Sequence, residues 1–251
     1  MADPVGEEKR NRIAMLIDGD NAQPSLSGEI LAEASKYGIL TIRRIYGDWT
    51  ETNMGGWKEK LHTYAIQPIQ QFRYTIGKNA TDSAMIIDAM DIVYSGAVSG
   101  FCIVSSDSDY TRLATRIREK GFFVMGIGRK ITPRAFVNAC DVFLYTENMT
   151  KDTQQRAPNG KTSSSSGPVD DTSNDPLPLL RAAFEMAVQD DGWASLGELG
   201  SYLRQRDPGF DSRTYGHKRL SSLIRAYSKI FRMKFPSDDD PSNAIYVKLK
   251  E

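Results

Sequence analysis

The sequence predicts an α/β fold, a doubly wound parallel sheet, followed by a second, smaller winged-helix domain. Three observations predict it. Strand-like and helix-like segments alternate from Arg12 to Tyr145, which argues for a parallel sheet with helices on its faces. The first segment, Ile13-Ala14-Met15-Leu16-Ile17, is a continuous apolar run, as expected of a strand buried on both faces. The chain then becomes rich in serine between Thr150 and Asp175, and apolar periodicity resumes beyond it.

The elements follow in order. Strand one runs into Asp18-Gly19-Asp20-Asn21. A helix opens at Ser25, with Ile30, Leu31, Ala34 and Tyr37 as its stripe and Gly38 as its stop. Ile39 to Tyr46 reads as strand two, and Asn53 to Ile66 as a helix that Pro68 cannot continue. Strand three is expected over Ile69 to Ile76. Thr81-Asp82-Ser83 should cap a helix from Ala84 to Tyr94. Phe101 to Ser105 is strand four, Tyr110 to Lys120 a helix closed by Gly121, and Phe122 to Ile127 strand five. A last helix starts near Thr132-Pro133, with Val142 to Tyr145 as a short sixth strand.

These assignments divide the chain into a first domain (1–149), a flexible linker (150–175) and a second domain (176–251). Within the second, Leu177 to Val188, Leu196 to Leu203 and Lys218 to Tyr227 have helical spacing. Phe231 to Phe235 and Ile245 to Leu249 alternate as a hairpin around Asp238-Asp239-Asp240-Pro241. Three helices and a two-stranded wing make a winged helix.

Composition narrows the chemistry. The chain has 40% hydrophobic and 25% charged residues over 251 positions, as a globular protein does. No apolar window approaches a membrane span, and Met1 to Arg10 lacks the apolar core of a signal peptide, so a cytoplasmic protein is expected. Two cysteines, Cys102 and Cys140, and two histidines, His62 and His217, cannot build a zinc site, which leaves oxygen ligands for any metal. The net charge of zero hides an asymmetry: Arg204 to Lys234 holds nine Lys/Arg against two acids. A phosphate backbone needs such a basic face.

The carboxylates carry the chemical argument. Val104-Ser105-Ser106-Asp107-Ser108-Asp109 ends strand four much as Ile17-Asp18-Gly19-Asp20 ends strand one. In a sheet of order 3-2-1-4-5 these strands are neighbours at the switch point, where open α/β folds place their sites. Asp18 and Asp107 would face each other there, and Asp82 would point into the same crevice. Carboxylates so placed repel one another unless a cation is present, and an all-oxygen donor set selects Mg²⁺ or Mn²⁺. The chemistry expected of such a site is phosphoryl transfer. Helix caps are the plainer reading of Asp82 and Asp107, but several caps meeting at one sheet edge is the less economical account. Asp88 falls about 120° round the helix from Asp82, so support rather than ligation is expected of it. Gly77-Lys78-Asn79 lacks the rest of a P-loop, and no Gly-x-Gly-x-x-Gly follows strand one. A phospho-aspartyl phosphatase would explain Asp18-x-Asp20, but Asn21 stands where its threonine is expected.

With these motifs in view, the chain resembles two families. IDGDN after strand one, GKNATDSAMIIDAMDI at the third helix and IVSSDSDYTRLATRIREKG after strand four resemble the NYN domain, the LabA-like branch of the PIN-like nucleases with their Rossmannoid fold, over about residues 11–148. The segment LLRAAFEMAVQDDGWASLGELGSYLRQRDPGFDSRTYGHKRLSSLIRAY with its wing resembles the LOTUS or OST-HTH domain over about residues 176–250. The resemblance implies a metal-dependent ribonuclease joined to an RNA-binding module. Asp18, Asp82 and Asp107 match the family's metal-binding acids, Asp109 a more variable fourth, and Asn21 the asparagine after the first acid. Lys78 falls where the family often carries a base that could contact phosphate.

For the tail, the resemblance implies RNA as the ligand. A basic helix from Tyr215 to Lys229 would carry His217, Lys218 and Arg219, with Tyr215 offering a stacking face or else joining Leu220, Leu223 and Ile224 in the core. Arg213, Lys218 and Arg219 are expected to contact RNA. The expected partner is therefore RNA, single-stranded or structured, with no membrane and a homodimer left open. No side-chain general base is evident, which suits metal-assisted hydrolysis. The alternative is a non-catalytic RNA-binding adaptor with a degenerate nuclease domain.

Overall fold

A computed structural model describes residues 11–72, 80–149, 175–236 and 244–250. The chain divides into two compact units, residues 1–154 and 155–251. Most of the expected linker, residues 150–174, lies outside the described residues, as do Lys78, the distal half of the expected third strand and the tip of the wing.

In the first unit the chain alternates β1 (Arg12–Asp18), α1 (Ser27–Ala34), β2 (Ile39–Gly47), α2 (Lys58–Tyr64), β3 (Gln67–Gln70), α3 (Ala80–Ser95), β4 (Gly100–Val104), α4 (Thr111–Glu119), β5 (Phe123–Gly128), α5 (Arg134–Ala139) and β6 (Val142–Tyr145). The six strands form one sheet of order β3-β2-β1-β4-β5-β6, with every pair parallel. The doubly wound sheet is thus present as predicted and is consistent with a PIN-like fold; β6 extends it at the β5 edge.

Strand periodicity explains the two layers. Successive side chains leave opposite faces of a strand. Ala14 and Leu16 of β1 join Met85, Ala89, Leu113, Ile117 and Phe136 on one face. Ile13, Met15 and Ile17 join Ile30, Trp57 and Cys102 on the other. Cys102 and Cys140, both free, sit in different layers, and burial pushes the Cys140 thiol up to about 12.

The helix boundaries differ from the sequence reading in instructive ways. The α3 helix begins at Ala80, so Asp82 lies in its first turn and is not a cap. The α1, α2 and α4 helices are each preceded by a 3₁₀ turn, at Pro24–Leu26, Thr52–Trp57 and Ser108–Tyr110. Pro68 sits inside β3 opposite Ile45, at the sheet edge where a missing N–H is tolerated.

The second unit contains α6 (Leu177–Ala187), β7 (Ala194–Ser195), α7 (Leu196–Arg206), α8 (Leu220–Ala226), β8 (Phe231–Lys234) and β9 (Tyr246–Leu249). Its wing has three antiparallel strands in the order β7-β9-β8, one more than the sequence suggested. The extra strand is two residues long, too short to leave a periodic signal. Ser195 closes β7 and caps α7 by accepting from the Glu198 amide, while its hydroxyl donates to the Glu198 carboxylate at 2.8 Å. Leu180, Phe184, Leu199, Leu203, Ile224, Phe231 and Val247 form the core beneath. No helix among the described residues is long and apolar enough to cross a membrane.

Candidate metal centre and nucleic-acid interface

The parallel register of β1 and β4 builds the site. Ile17 lies opposite Val104, so the next residues, Asp18 and Ser105, meet at the carboxyl edge. The Ser105 hydroxyl donates to Asp18 Oδ2 at 2.9 Å and accepts from the Asp107 amide at 3.0 Å. Asp18 therefore faces Ser105, and Asp107 comes two residues later in extended backbone.

Asp18 is 1% exposed. It accepts four hydrogen bonds: from the amides of Asp20 and Asn21, from Asn21 Nδ2 at 2.7 Å, and from Ser105. Burial raises its pKa, the bonds from Asn21 and Ser105 pull it back, and the charge of Asp82 pushes it up again. Gly19 is required beside it. A Cβ there would come within 2.6 Å of Met54 Cε and 2.8 Å of the Tyr46 carbonyl oxygen. Asp20 is exposed at the rim and accepts from Asn53 Nδ2 at 3.2 Å and Thr81 Oγ1 at 3.3 Å.

Asp82, Asp107 and Asp109 converge: one carboxylate oxygen from each lies within 4.8 Å of the others. Asp107 caps the 3₁₀ turn Ser108–Tyr110 by accepting from the Asp109 amide at 2.9 Å, which fixes those two acids relative to one another. The same turn directs Tyr110 inward, where its hydroxyl donates to Asp82 Oδ1 at 2.6 Å and joins the third acid to the first two. Burial raises the Asp82 pKa, the Tyr110 bond lowers it, and the charges of Asp107, Asp109 and Asp20 raise it further. A hard divalent cation relieves such crowding, and the all-oxygen donor set is the one Mg²⁺ and Mn²⁺ prefer. The residues present fit such an ion.

Three of the four residues expected to hold a metal thus meet, while Asp18, buried and with its acceptor positions filled, is not among them. Asp88 is held by Arg44 and by the Tyr46 hydroxyl, outside the cluster. Ser105 and Tyr110 were not singled out from sequence. Their place inside the SSDSDY stretch was the available signal, but neither direction could be known without the 3₁₀ turn.

In the second unit the expected basic helix does not form as one piece. Ser212–Tyr215 is a 3₁₀ turn ended by Gly216 at φ +80°, Arg219 is extended at φ −142°, and the helix starts at Leu220. His217, Lys218 and Arg219 therefore lie on the approach to α8, with Lys218 and Arg219 exposed. Arg213 is paired with Asp211 at 2.8 Å, both side chains largely covered. Tyr215 packs against the core and against Phe210, ring centroids 5.8 Å apart.

Comparisons with known proteins identify the two domains. The profile of the NYN domain matches residues 12–147, and that of the OST-HTH/LOTUS domain matches residues 171–242. The crystal structure of a protein of unknown function from Vibrio parahaemolyticus is similar over 58% of this chain and 98% of its own, with a TM-score of 0.50 and 16% identity; the likeness is one of fold. An uncharacterized protein of Nitrosomonas europaea, solved by NMR, is 34% identical over 37% of this chain and 93% of its own, with a TM-score of 0.28. None of the curated proteins matches this chain. Nothing among the described residues supports a homodimer.

Proposed function

Because the chain belongs to the NYN domain family and carries an OST-HTH/LOTUS domain after it, we propose that it is a ribonuclease dependent on Mg²⁺ or Mn²⁺. It hydrolyses RNA phosphodiester bonds at the acidic edge of the first unit and recruits RNA through the second. The observation that carries this reading is the convergence of Asp82, Asp107 and Asp109 at the carboxyl edge of a parallel sheet.

Asp82, Asp107 and Asp109 would hold the ion. When bound, it supplies Lewis acidity toward the phosphoryl oxygens and makes water a competent nucleophile at neutral pH. Asp18 adds a negative charge felt by Asp82, and Asn21 and Ser105 keep its carboxylate in place. Tyr110 holds Asp82 toward the other two acids. In the second unit Lys218 and Arg219 meet phosphates, His217 precedes them in the chain, and Arg213 and Tyr215, held by Asp211 and Phe210, support the segment; Lys78 precedes α3 in the sequence. The two buried free thiols suit a reducing compartment, and we place the protein in the cytoplasm.

The test is cleavage of labelled single-stranded and structured RNAs with Mn²⁺, with Mg²⁺ and with EDTA, wild type beside Asp107→Asn and Asp18→Asn. Cleavage that EDTA and both substitutions abolish supports the proposal. Binding without cleavage under every ion overturns it in favour of an RNA-binding adaptor.

A further inference from the structure

Two stripes of side chains lead away from the acidic cluster along neighbouring helices. On α3, Asp82 is followed by Ile86 and Met90 at intervals of four, the spacing that keeps residues on one helix face. On the other side, Asp109 is followed by Arg112 and Arg116 along α4. The stripes face each other across an open groove of about 530 Å³ that Ile86, Met90, Asp109, Arg112 and Arg116 line. Its head is therefore the cluster itself.

The two walls differ in chemistry. The α3 wall offers apolar surface, and one further step of four brings Tyr94, 68% exposed, with Lys120 Nζ 5.6 Å from its ring centroid. The α4 wall carries two cations, Arg112 and Arg116, with Asp109 and Glu119 at its two ends. Arg116 is half-exposed and shares a bond with Glu119 at 3.2 Å, whereas Arg112 has no ion-pair partner among the described residues. A duplex hides its base faces and could use only the two arginines. A single strand uses both walls, with phosphates on the arginines and unstacked bases against the apolar side.

We propose that the groove between α3 and α4 is the track that carries single-stranded RNA on one side of the scissile phosphate. Its phosphates rest on Arg112 and Arg116 and its bases against Ile86, Met90 and Tyr94. This rests on the nuclease reading above, and it adds that the substrate is unpaired where it leaves the cluster.

The experiment separates the two claims. Full-length protein carrying Asp107→Asn is irradiated with a single-stranded RNA oligomer containing 4-thiouridine, and crosslinked peptides are mapped by mass spectrometry. The expected crosslinks fall within residues 82–94 and 109–120, and adding Arg112→Glu with Arg116→Glu depletes them while crosslinks in residues 175–250 persist. Crosslinks confined to residues 175–250, or groove crosslinks indifferent to the reversal, overturn the proposal and leave the groove to a protein partner. In the active protein, Arg112→Ala with Arg116→Ala should raise KM about tenfold, with the smaller effect on kcat, as expected for two lost phosphate contacts. An unchanged KM overturns the proposal. If wild type cleaves nothing, the nuclease reading falls, and the crosslink map still decides the groove.

Discussion

The acidic edge of the first unit and the basic segment of the second are built on opposite plans. At the acidic edge, residues from three distant stretches are tied by side chains: Ser105 binds Asp18, and Tyr110 reaches Asp82. In the basic segment the Asp211–Arg213 pair and the Gly216 turn are local, and Lys218 and Arg219 beyond them are exposed. One region spends long-range structure to hold like charges together. The other uses a few adjacent residues to display charges of the opposite sign. The difference teaches where rigidity matters: a centre for an ion needs fixed ligands, whereas phosphate contact tolerates mobile ones.

That contrast can be broken at several points. The largest effect is expected at the cluster, where Asp107→Asn should lower cleavage by about 100-fold and remove the rise in melting temperature expected of wild type when Mn²⁺ is added. Next comes Gly19→Ala, whose methyl group must displace Met54 or the Tyr46 carbonyl. It should destabilise the first unit by about 1–3 kcal/mol, read as an earlier first transition in calorimetry. A comparable loss confined to the second unit is expected from Asp211→Ala, about 1–3 kcal/mol, because the largely covered Arg213 loses its carboxylate partner; cleavage of a short RNA should survive. The mildest change belongs to Lys218→Ala with Arg219→Ala. RNA affinity should fall only a few-fold while the slope of log K against log salt drops by about 1.4.

The acidic edge also gives a pH dependence with a definite sign. The folded pKa of Asp82 is raised above its ordinary 3.8, chiefly by burial. In metal-free protein this group's contribution to stability is therefore fully present below that value and is lost as pH rises through the folded pKa. Thermal melts in EDTA should show the first unit losing stability across this window, and a divalent ion should restore it above the window. Asp82→Asn should reduce the pH dependence to the part that Asp18 contributes and weaken the restoration by metal.

How much of this was legible in the sequence follows from the same contrast. Strand order was legible because apolar runs and crossover helices leave few topologies, and with strands one and four adjacent Asp18 had to lie beside the start of the Ser105–Asp109 stretch. The start of α3 was not, because Ala80-Thr81 carries no distinctive stop and Asp82 suits a cap as well as a first turn. Tyr110 was hidden because a 3₁₀ turn and an α-helix share the same apolar spacing over three residues, yet they aim a side chain differently. The basic helix was drawn too long for a related reason: Tyr215 to Lys229 keeps helical periodicity, while the φ of Gly216 breaks the backbone.

Pro68 has a consequence away from any ligand. An exposed strand at the rim of a sheet is a template on which a second chain can add, the first step toward amyloid-like growth. The β3 rim spans only four residues and contains a residue with no amide hydrogen to offer, between Gln67 and Gln70. Strand addition there would lose a rung at its centre. The fold thus carries its own brake on aggregation at that end, and replacing Pro68 with a β-branched residue would release it.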